Sequence, residues 1–277
     1  YLNMDIQAYK MDGLGNDFVI IDNRSDPIIP NKNQIIKICD RKFIGCDQLI
    51  LINNHKTSDA YLEFFNSDGS KSSACGNGTR CVAEFISREN NKKSILLTTS
   101  AGELNSDILG NSIIETEIGI GKTKWDQIPL SQNIDTKNLG IEIVDDSGNK
   151  HSGGTAINVG NPHAVFFVNN LNDFNVEKIG PEIEQHKLFP ERCNVTIAQI
   201  INKNLIKVKV WERGAGLTKA CGTAACATAF AGFTNQLNSN QVDIEFITGN
   251  LSIKIDKNNF IKMKGPVSNI KKILIKL

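Results

Sequence analysis

Two Cys-Gly steps are the residues best placed to do chemistry: Cys75-Gly76 and Cys221-Gly222, separated by 221 − 75 = 146 positions. Each opens a segment that reads as a helix. In the first, Val82, Phe85 and Ile86 fall at i, i+3 and i+4, and the second, from about Gly222 to Phe233, is dominated by Ala, Gly and Thr. A cysteine just ahead of a helix has its sulfur near unpaired N–H groups and the positive end of the helix dipole. This predicts a thiol pKa lowered from about 8.5 toward roughly 3.5 to 7.5, and so a thiolate at neutral pH. Gly76 and Gly222 leave the following N–H groups open to an anion such as a carboxylate. Two sulfurs of this kind suit stereoinversion at a carbon next to a carboxylate, one removing a proton from one face while the other delivers a proton to the opposite face. The helix N-termini would hold the enolate-like charge, as an oxyanion hole does, so no cofactor is expected.

The other five cysteines, Cys39, Cys46, Cys81, Cys193 and Cys226, read as small buried hydrophobes. A structural zinc site would want C-x₂₋₄-C pairs. The available steps are 81 − 75 = 6 and 226 − 221 = 5, with no matching histidine pair, so no metal is expected. Gly13-Leu14-Gly15 follows a strand-like run, but Phe18 stands where a dinucleotide fingerprint needs its third glycine.

The spacing of the thiols belongs to a wider internal repeat. Gly15-Asn16-Asp17-Phe18-Val19-Ile20 matches Gly160-Asn161-Pro162-His163-Ala164-Val165 at an offset of 145, and Gln48 falls opposite Asn194 at 146. Asn66 precedes Cys75 by nine positions and Glu212 precedes Cys221 by nine. Three collinear matches imply two copies of one fold, each with a Gly-Asn turn, an amide residue on a strand and a Cys-Gly step. On residue type alone, His163 suits a packed loop histidine as well as a group that tunes a thiol, and Glu212 suits a solvated strand residue equally. Their places in the repeated blocks favour a role at the sulfurs.

The elements that must position these residues are mostly strands. Phe18 to Asp22, Gln48 to Ile52, Ser112 to Ile120, Leu205 to Trp211 and Val242 to Ile247 are β-branched or alternating, and Gly249-Asn250 reads as a hairpin turn. Gly119 to Pro129 collects turn residues midway between the copies, which puts the domain boundary near Lys122. With 31 Lys plus Arg against 30 Asp plus Glu and no block of like charge, neither nucleic acid nor a membrane surface is an expected partner. The chain has no run of 18 apolar residues and does not open on a signal-peptide pattern, so a cytosolic location with reduced thiols is expected.

With these residues in hand, the chain resembles the diaminopimelate epimerases over essentially its full length. The match is carried by Met11-Asp12-Gly13-Leu14-Gly15-Asn16-Asp17-Phe18, Asn66-Ser67-Asp68-Gly69-Ser70, Ala74-Cys75-Gly76-Asn77-Gly78-Thr79-Arg80-Cys81, Gly160-Asn161-Pro162-His163, and Trp211-Glu212-Arg213-Gly214-Ala215-Gly216 running on to Ala220-Cys221-Gly222-Thr223. The resemblance implies an α/β fold of two pseudo-symmetric domains, each a curled β-sheet around a central helix, with the active site in the cleft between them. The halves would be residues 1–121 with the C-terminal strand at 265–277, and residues 122–264. It further implies a cofactor-independent epimerase that interconverts LL- and meso-diaminopimelate, in lysine and cell-wall precursor biosynthesis. Cys75 and Cys221 would be its proton donor and acceptor. Asn16, Gln48, Asn66, Gly76, Asn77, Asn161, Asn194, Glu212, Arg213, Gly222 and Thr223 would contact substrate, and His163 and Glu212 would modulate the thiols. Three positions depart from the family pattern. Leu217 stands where an acidic residue is common, Ala224 where glycine is frequent, and Lys271 where a tyrosine contributes to a homodimer contact in some members. Two other readings fit part of the pattern. A proline or hydroxyproline racemase resembles Met-Cys-Gly-His at the first thiol, where this chain has Ala74-Cys75-Gly76-Asn77, and a thiol-bearing binding or redox protein would bind a small molecule without inverting it.

Overall fold

The computed structural model describes residues 5–73 and 75–276, so Ala74 of the first thiol motif lies outside the described residues. It divides into two compact units, Tyr1–Glu117 with Lys264–Leu277, and Ile118–Met263.

The first unit is built on Asp5–Gly13 (β1), Asn16–Asp22 (β2), the helix Lys32–Cys39 (α1), Gln48–Asn53 (β3), Ala60–Asn66 (β4), Lys71–Ser72 (β5), the helix Gly76–Asn90 (α2), Ser94–Thr99 (β6), Gly102–Gly110 (β7) and Ile113–Ile120 (β8). The β1–β2 and β3–β4 pairs are antiparallel, whereas β2–β3 and β4–β6 are parallel crossovers over α1 and α2. The runs Phe18–Ile21 and Leu49–Ile52 are buried throughout, as expected of strands covered on both faces. Their period of two splits them between two cores. Phe18, Ile20, Ile50 and Ile52 pack with Val82, Phe85 and Ile86 of α2, while Val19, Ile21, Leu49 and Leu51 pack with Ile35 and Ile38 of α1. Helix α2 is the centre of the unit, with every residue from Asn77 to Ser87 buried. Gly78 is what lets it approach the sheet. A Cβ there would lie 2.9 Å from both Ile50 Cδ1 and Phe64 Cε1.

The second unit repeats this plan after a small antiparallel ribbon of Ile141–Val144 (β9) and Lys150–Gly153 (β10). Thr155–Asn158 (β11), Pro162–Phe167 (β12), the helix Val176–Glu184 (α3), Asn194–Asn202 (β13), Leu205–Glu212 (β14), Gly216–Thr218 (β15), the helix Gly222–Thr234 (α4), Gln241–Phe246 (β16), Gly249–Ile255 (β17) and Phe260–Pro266 (β18) follow. The parallel crossovers recur at β12–β13 and β14–β16. Registers recur too: Leu49 pairs with Phe65 and Val195 with Trp211, each member displaced by 195 − 49 = 211 − 65 = 146. Helix α4 is buried from Ala224 to Gly232 and packs against β11, β12, β13, β16 and β17, an approach that its small side chains allow. Lys271–Lys276 (β19) returns to pair antiparallel with β1.

One expected turn is displaced. Phe246 pairs with Gly249, so the hairpin turn is Ile247-Thr248, and Gly249 and Asn250 are the first residues of β17. The glycine holds φ at +136°, a conformation that glycine adopts without a Cβ clash, at the edge of the turn rather than inside it. Among the described residues no helix is long and apolar enough to cross a membrane.

Candidate active site

In the first unit the candidate residues gather where β2, β3 and β4 meet the start of α2. Cys75 is the N-cap of α2, with extended backbone (φ −150°, ψ 112°), and is half-buried. Its Sγ lies 3.7 Å from Asn16 Oδ1, which also accepts from Asn77 Nδ2 at 3.2 Å. Asn16 opens β2, and its Nδ2 donates to Asp47 Oδ2 at 2.9 Å. Gln48 opens β3 opposite Asn66 at the end of β4, and Gln48 Nε2 donates to Asn66 Oδ1 at 2.8 Å. Asn66 Nδ2 in turn donates to Ser70 Oγ at 3.0 Å. Gln48 Oε1 is buried without a hydrogen-bond partner among the described residues.

The second unit gathers its candidates in the same way. Cys221 is the N-cap of α4 (φ −139°, ψ 115°), and its Sγ accepts from the Ala224 N–H at 3.4 Å and lies 3.5 Å from Thr223 Oγ1. Asn161 Nδ2 reaches Thr223 Oγ1 at 3.5 Å, and Asn161 Oδ1 is 2.7 Å from His163 Nε2. Contacts from His163 to the sulfur therefore run through Asn161 and Thr223. His163 pairs with Asn194 across the parallel β12–β13 ladder, and Asn194 Oδ1 accepts from the main-chain N–H of Arg213 at 2.9 Å. The Arg213 side chain is exposed and donates to the Glu191 carbonyl at 2.9 Å. Gly222 and Thr223 lie in the first turn of α4, where helix N–H groups have no intrahelical acceptor.

The expectation of a lowered thiol pKa fails at Cys221. Burial pushes this thiol well above its ordinary value, and the Glu212 carboxylate raises it further by its charge and by accepting from the S–H. The Thr223 hydroxyl and the Ala224 N–H act in the opposite direction but are outweighed. A helix N-terminus lowers a thiol pKa where solvent shares the charge; a sulfur only 7% exposed loses that hydration first. His163 is fully buried and is pushed down to about 3, by burial and then by the Arg213 charge, so it is a neutral imidazole. Donating Nε2–H to Asn161 leaves Nδ1 buried without a partner among the described residues. Cys39, Cys46, Cys81, Cys193 and Cys226 are all buried, as expected.

Against known proteins, the family model described as diaminopimelate epimerase matches residues 8–123 and 155–270, two segments whose starts differ by 155 − 8 = 147. A diaminopimelate epimerase of Pelagibacter ubique is 65% identical over 274 residues, which are 99% of this chain and 100% of that one. The chain belongs to the diaminopimelate epimerase family. A second relative in this family, the diaminopimelate epimerase of Acidiphilium cryptum, is 39% identical over 94% of this chain and 92% of its own. Solved structures extend the likeness of fold. A phenazine biosynthesis protein of the PhzF family from Bacillus anthracis superposes with a TM-score of 0.69 at 14% identity, covering 99% of this chain and all of that one. A hydroxyproline epimerase from Agrobacterium vitis has a TM-score of 0.69 at 13% identity, covering 99% of this chain and 91% of its own.

Three residues around these clusters escape a reading of residue types. Arg80 is fully buried in α2 and donates to Asn77 Oδ1 at 3.0 Å. Asp47 holds Asn16, as described. Glu184 at the end of α3 accepts from Trp211 Nε1 at 2.7 Å and from the Gly214 N–H at 3.2 Å, which anchors the turn bearing Arg213. The one available signal was Trp211, whose indole N–H needs an acceptor when buried.

Proposed function

We propose that this chain interconverts LL- and meso-diaminopimelate without a cofactor, with Cys75 and Cys221 as the acid/base pair. One sulfur, as thiolate, takes the α-proton and becomes a thiol, while the other, as thiol, delivers its proton to the opposite face and becomes the thiolate. The substrate thus inverts with no net gain or loss of protons, and the two sulfurs exchange roles. The charge that develops on the carboxylate is met by the N–H groups of Gly76-Asn77 and Gly222-Thr223 at the two helix starts. The observation that carries this reading is the repeated helix start, Cys75 beside Asn16 and Asn77, and Cys221 beside Thr223 and Glu212, in a chain of this family.

The remaining candidates have the chemistry for an amino acid with a second, unreacting head. Gln48 Oε1 is a buried acceptor suited to an ammonium, Asn66, Asn161 and Asn194 offer carboxamides of either polarity, and Arg213 presents a guanidinium for a distal carboxylate. Glu212 supplies the anion that keeps Cys221 protonated until an ammonium offsets its charge. Residues 1–121 with 265–277 would form one catalytic half and 122–264 the other, in a cytoplasmic enzyme of lysine and cell-wall precursor synthesis.

The test is to offer the purified chain LL-diaminopimelate in deuterium oxide with no added cofactor. The meso product should carry deuterium at the inverted carbon at early times while remaining substrate stays largely protiated, and Cys75→Ala and Cys221→Ala should each abolish inversion. Normal epimerisation by either alanine variant would refute the thiol pair.

A further inference from the structure

A carboxamide has two ends of similar size and opposite hydrogen-bonding character, so what an asparagine offers a neighbouring thiol depends on which way it is turned. At Asn16 two ionic groups decide this. The Asp47 carboxylate can only accept, and its Oδ2 is 2.9 Å from Asn16 Nδ2. The Arg80 guanidinium can only donate, and its Nη1 is 3.0 Å from Asn77 Oδ1. Asn77 must therefore turn its Nδ2 outward, and it donates to Asn16 Oδ1 at 3.2 Å. Both constraints give one answer: Asn16 shows its carbonyl oxygen to the Cys75 sulfur. An oxygen in that position accepts from S–H and repels a thiolate.

Each end of this relay is itself held. Asp47 Oδ1 accepts from Arg41 Nη2 at 2.7 Å, its Oδ2 from the Asp17 N–H at 3.1 Å, and Arg41 spans on to Asp17. Arg80 and Asn77 fit beneath the β1–β2 turn because position 13 is glycine; a Cβ there would lie 3.2 Å from Asn77 Cβ and 3.1 Å from its carbonyl oxygen. The second copy has neither device. Positions 47 + 146 and 80 + 146 are Cys193 and Cys226, and the equivalent asparagine, Asn161, lies with its Oδ1 on neutral His163, whose ring nitrogen can donate or accept, and its Nδ2 toward Thr223.

The geometry points to Asp47 and Arg80 as positioning residues that fix the polarity of the Asn16 carboxamide and so hold Cys75 as an S–H donor in the ligand-free protein. The inference rests on the two-thiol reading above and adds an asymmetry to it. The two halves share a fold, but Asn16 shows its oxygen to Cys75 whereas Cys221 meets the Thr223 hydroxyl and the Ala224 N–H, so each thiol is prepared by different neighbours.

The test is the rate at which iodoacetamide alkylates Cys75 in the full chain at neutral pH without substrate, read by mass spectrometry with Cys221 as internal reference. In Asp47→Asn the side chain can donate or accept, so Asn16 is held by Asn77 alone and turns its Nδ2 to the sulfur in part of the population, which stabilises the thiolate. Alkylation of Cys75 should rise several-fold with that of Cys221 unchanged, short of the roughly tenfold that a full hydrogen bond to a charged group gives. Asp47→Glu, again an acceptor only, should restore the slow rate. Because Arg80 is buried and its variants risk misfolding, the half-exposed Asp47 carries the decision. An Asp47→Asn protein whose Cys75 reacts at the wild-type rate, or whose two thiols speed up together, would overturn the assignment. Failure of the underlying reading looks different, because Cys75→Ala would then still epimerise.

Discussion

The buried imidazole of His163 makes stability depend on pH in a calculable way. Its pKa is pushed from 6.5 to about 3 in the folded chain, chiefly by burial. Above about pH 6.5 both folded and unfolded states hold it neutral, and its burial carries no protonation penalty. Below that, the unfolded state takes up a proton that the folded state declines. Stability should then fall by roughly 1.4 kcal/mol per pH unit until the folded pKa is reached, or by about 2 kcal/mol at about pH 5. The side chain is 0% exposed, so solvent does not screen the effect. His163→Gln keeps a donor for Asn161 Oδ1 but cannot titrate. Urea unfolding of both proteins at neutral pH and at about pH 5 isolates the histidine, since every other titrating group is common to the two. The wild type should lose about 2 kcal/mol more than His163→Gln on acidification. Equal losses would mean that the imidazole is accessible to protons in the folded state, and the neutral donor assigned to Asn161 would fall with it.

Other consequences are open to direct measurement. Gly78→Ala drives a methyl into Ile50 and Phe64 and should destabilise the chain by about 1–3 kcal/mol in thermal or urea unfolding; a neutral effect would mean that α2 can shift away from the sheet. Glu212→Gln removes the carboxylate that raises the Cys221 thiol, so alkylation of Cys221 at mildly alkaline pH should quicken even as epimerisation is lost, and a slower reaction would reverse the assigned sign. Arg213→Lys should raise KM for diaminopimelate by about tenfold or more, since an ammonium cannot form a planar two-point clasp on a carboxylate; an unchanged KM would remove Arg213 from the distal site.

Much of this was legible in the chain because it depends on local pattern. The repeat at 145 to 146 positions fixed which residues correspond, and the structure realises that correspondence as matching strand registers, Leu49–Phe65 against Val195–Trp211. The β-branched run from Phe18 read as a strand, which folding covers with a core on each side, and small residues after Cys221 allow a helix to be closely surrounded by sheet. Turn placement was less secure: Gly249-Asn250 has turn composition, but cross-strand pairing moved the reversal to Ile247-Thr248.

The sequence by itself determined the two-fold plan, the thiols at the two helix starts and the set of amides around them, because periodicity and spacing are properties of the chain. Only the tertiary structure decided how those groups behave. A pKa or an amide orientation depends on neighbours that are distant in the chain. Cys221 is raised rather than lowered because folding strips its water and brings up Glu212, and His163 is neutral because it is enclosed. Asn16 shows an oxygen rather than an amide nitrogen to Cys75 because Asp47 lies 31 positions away in sequence and 2.9 Å away in space. Arg80 reads as one more polar residue on a helix until the sheet closes around it and turns its guanidinium onto Asn77 and the Pro266 carbonyl.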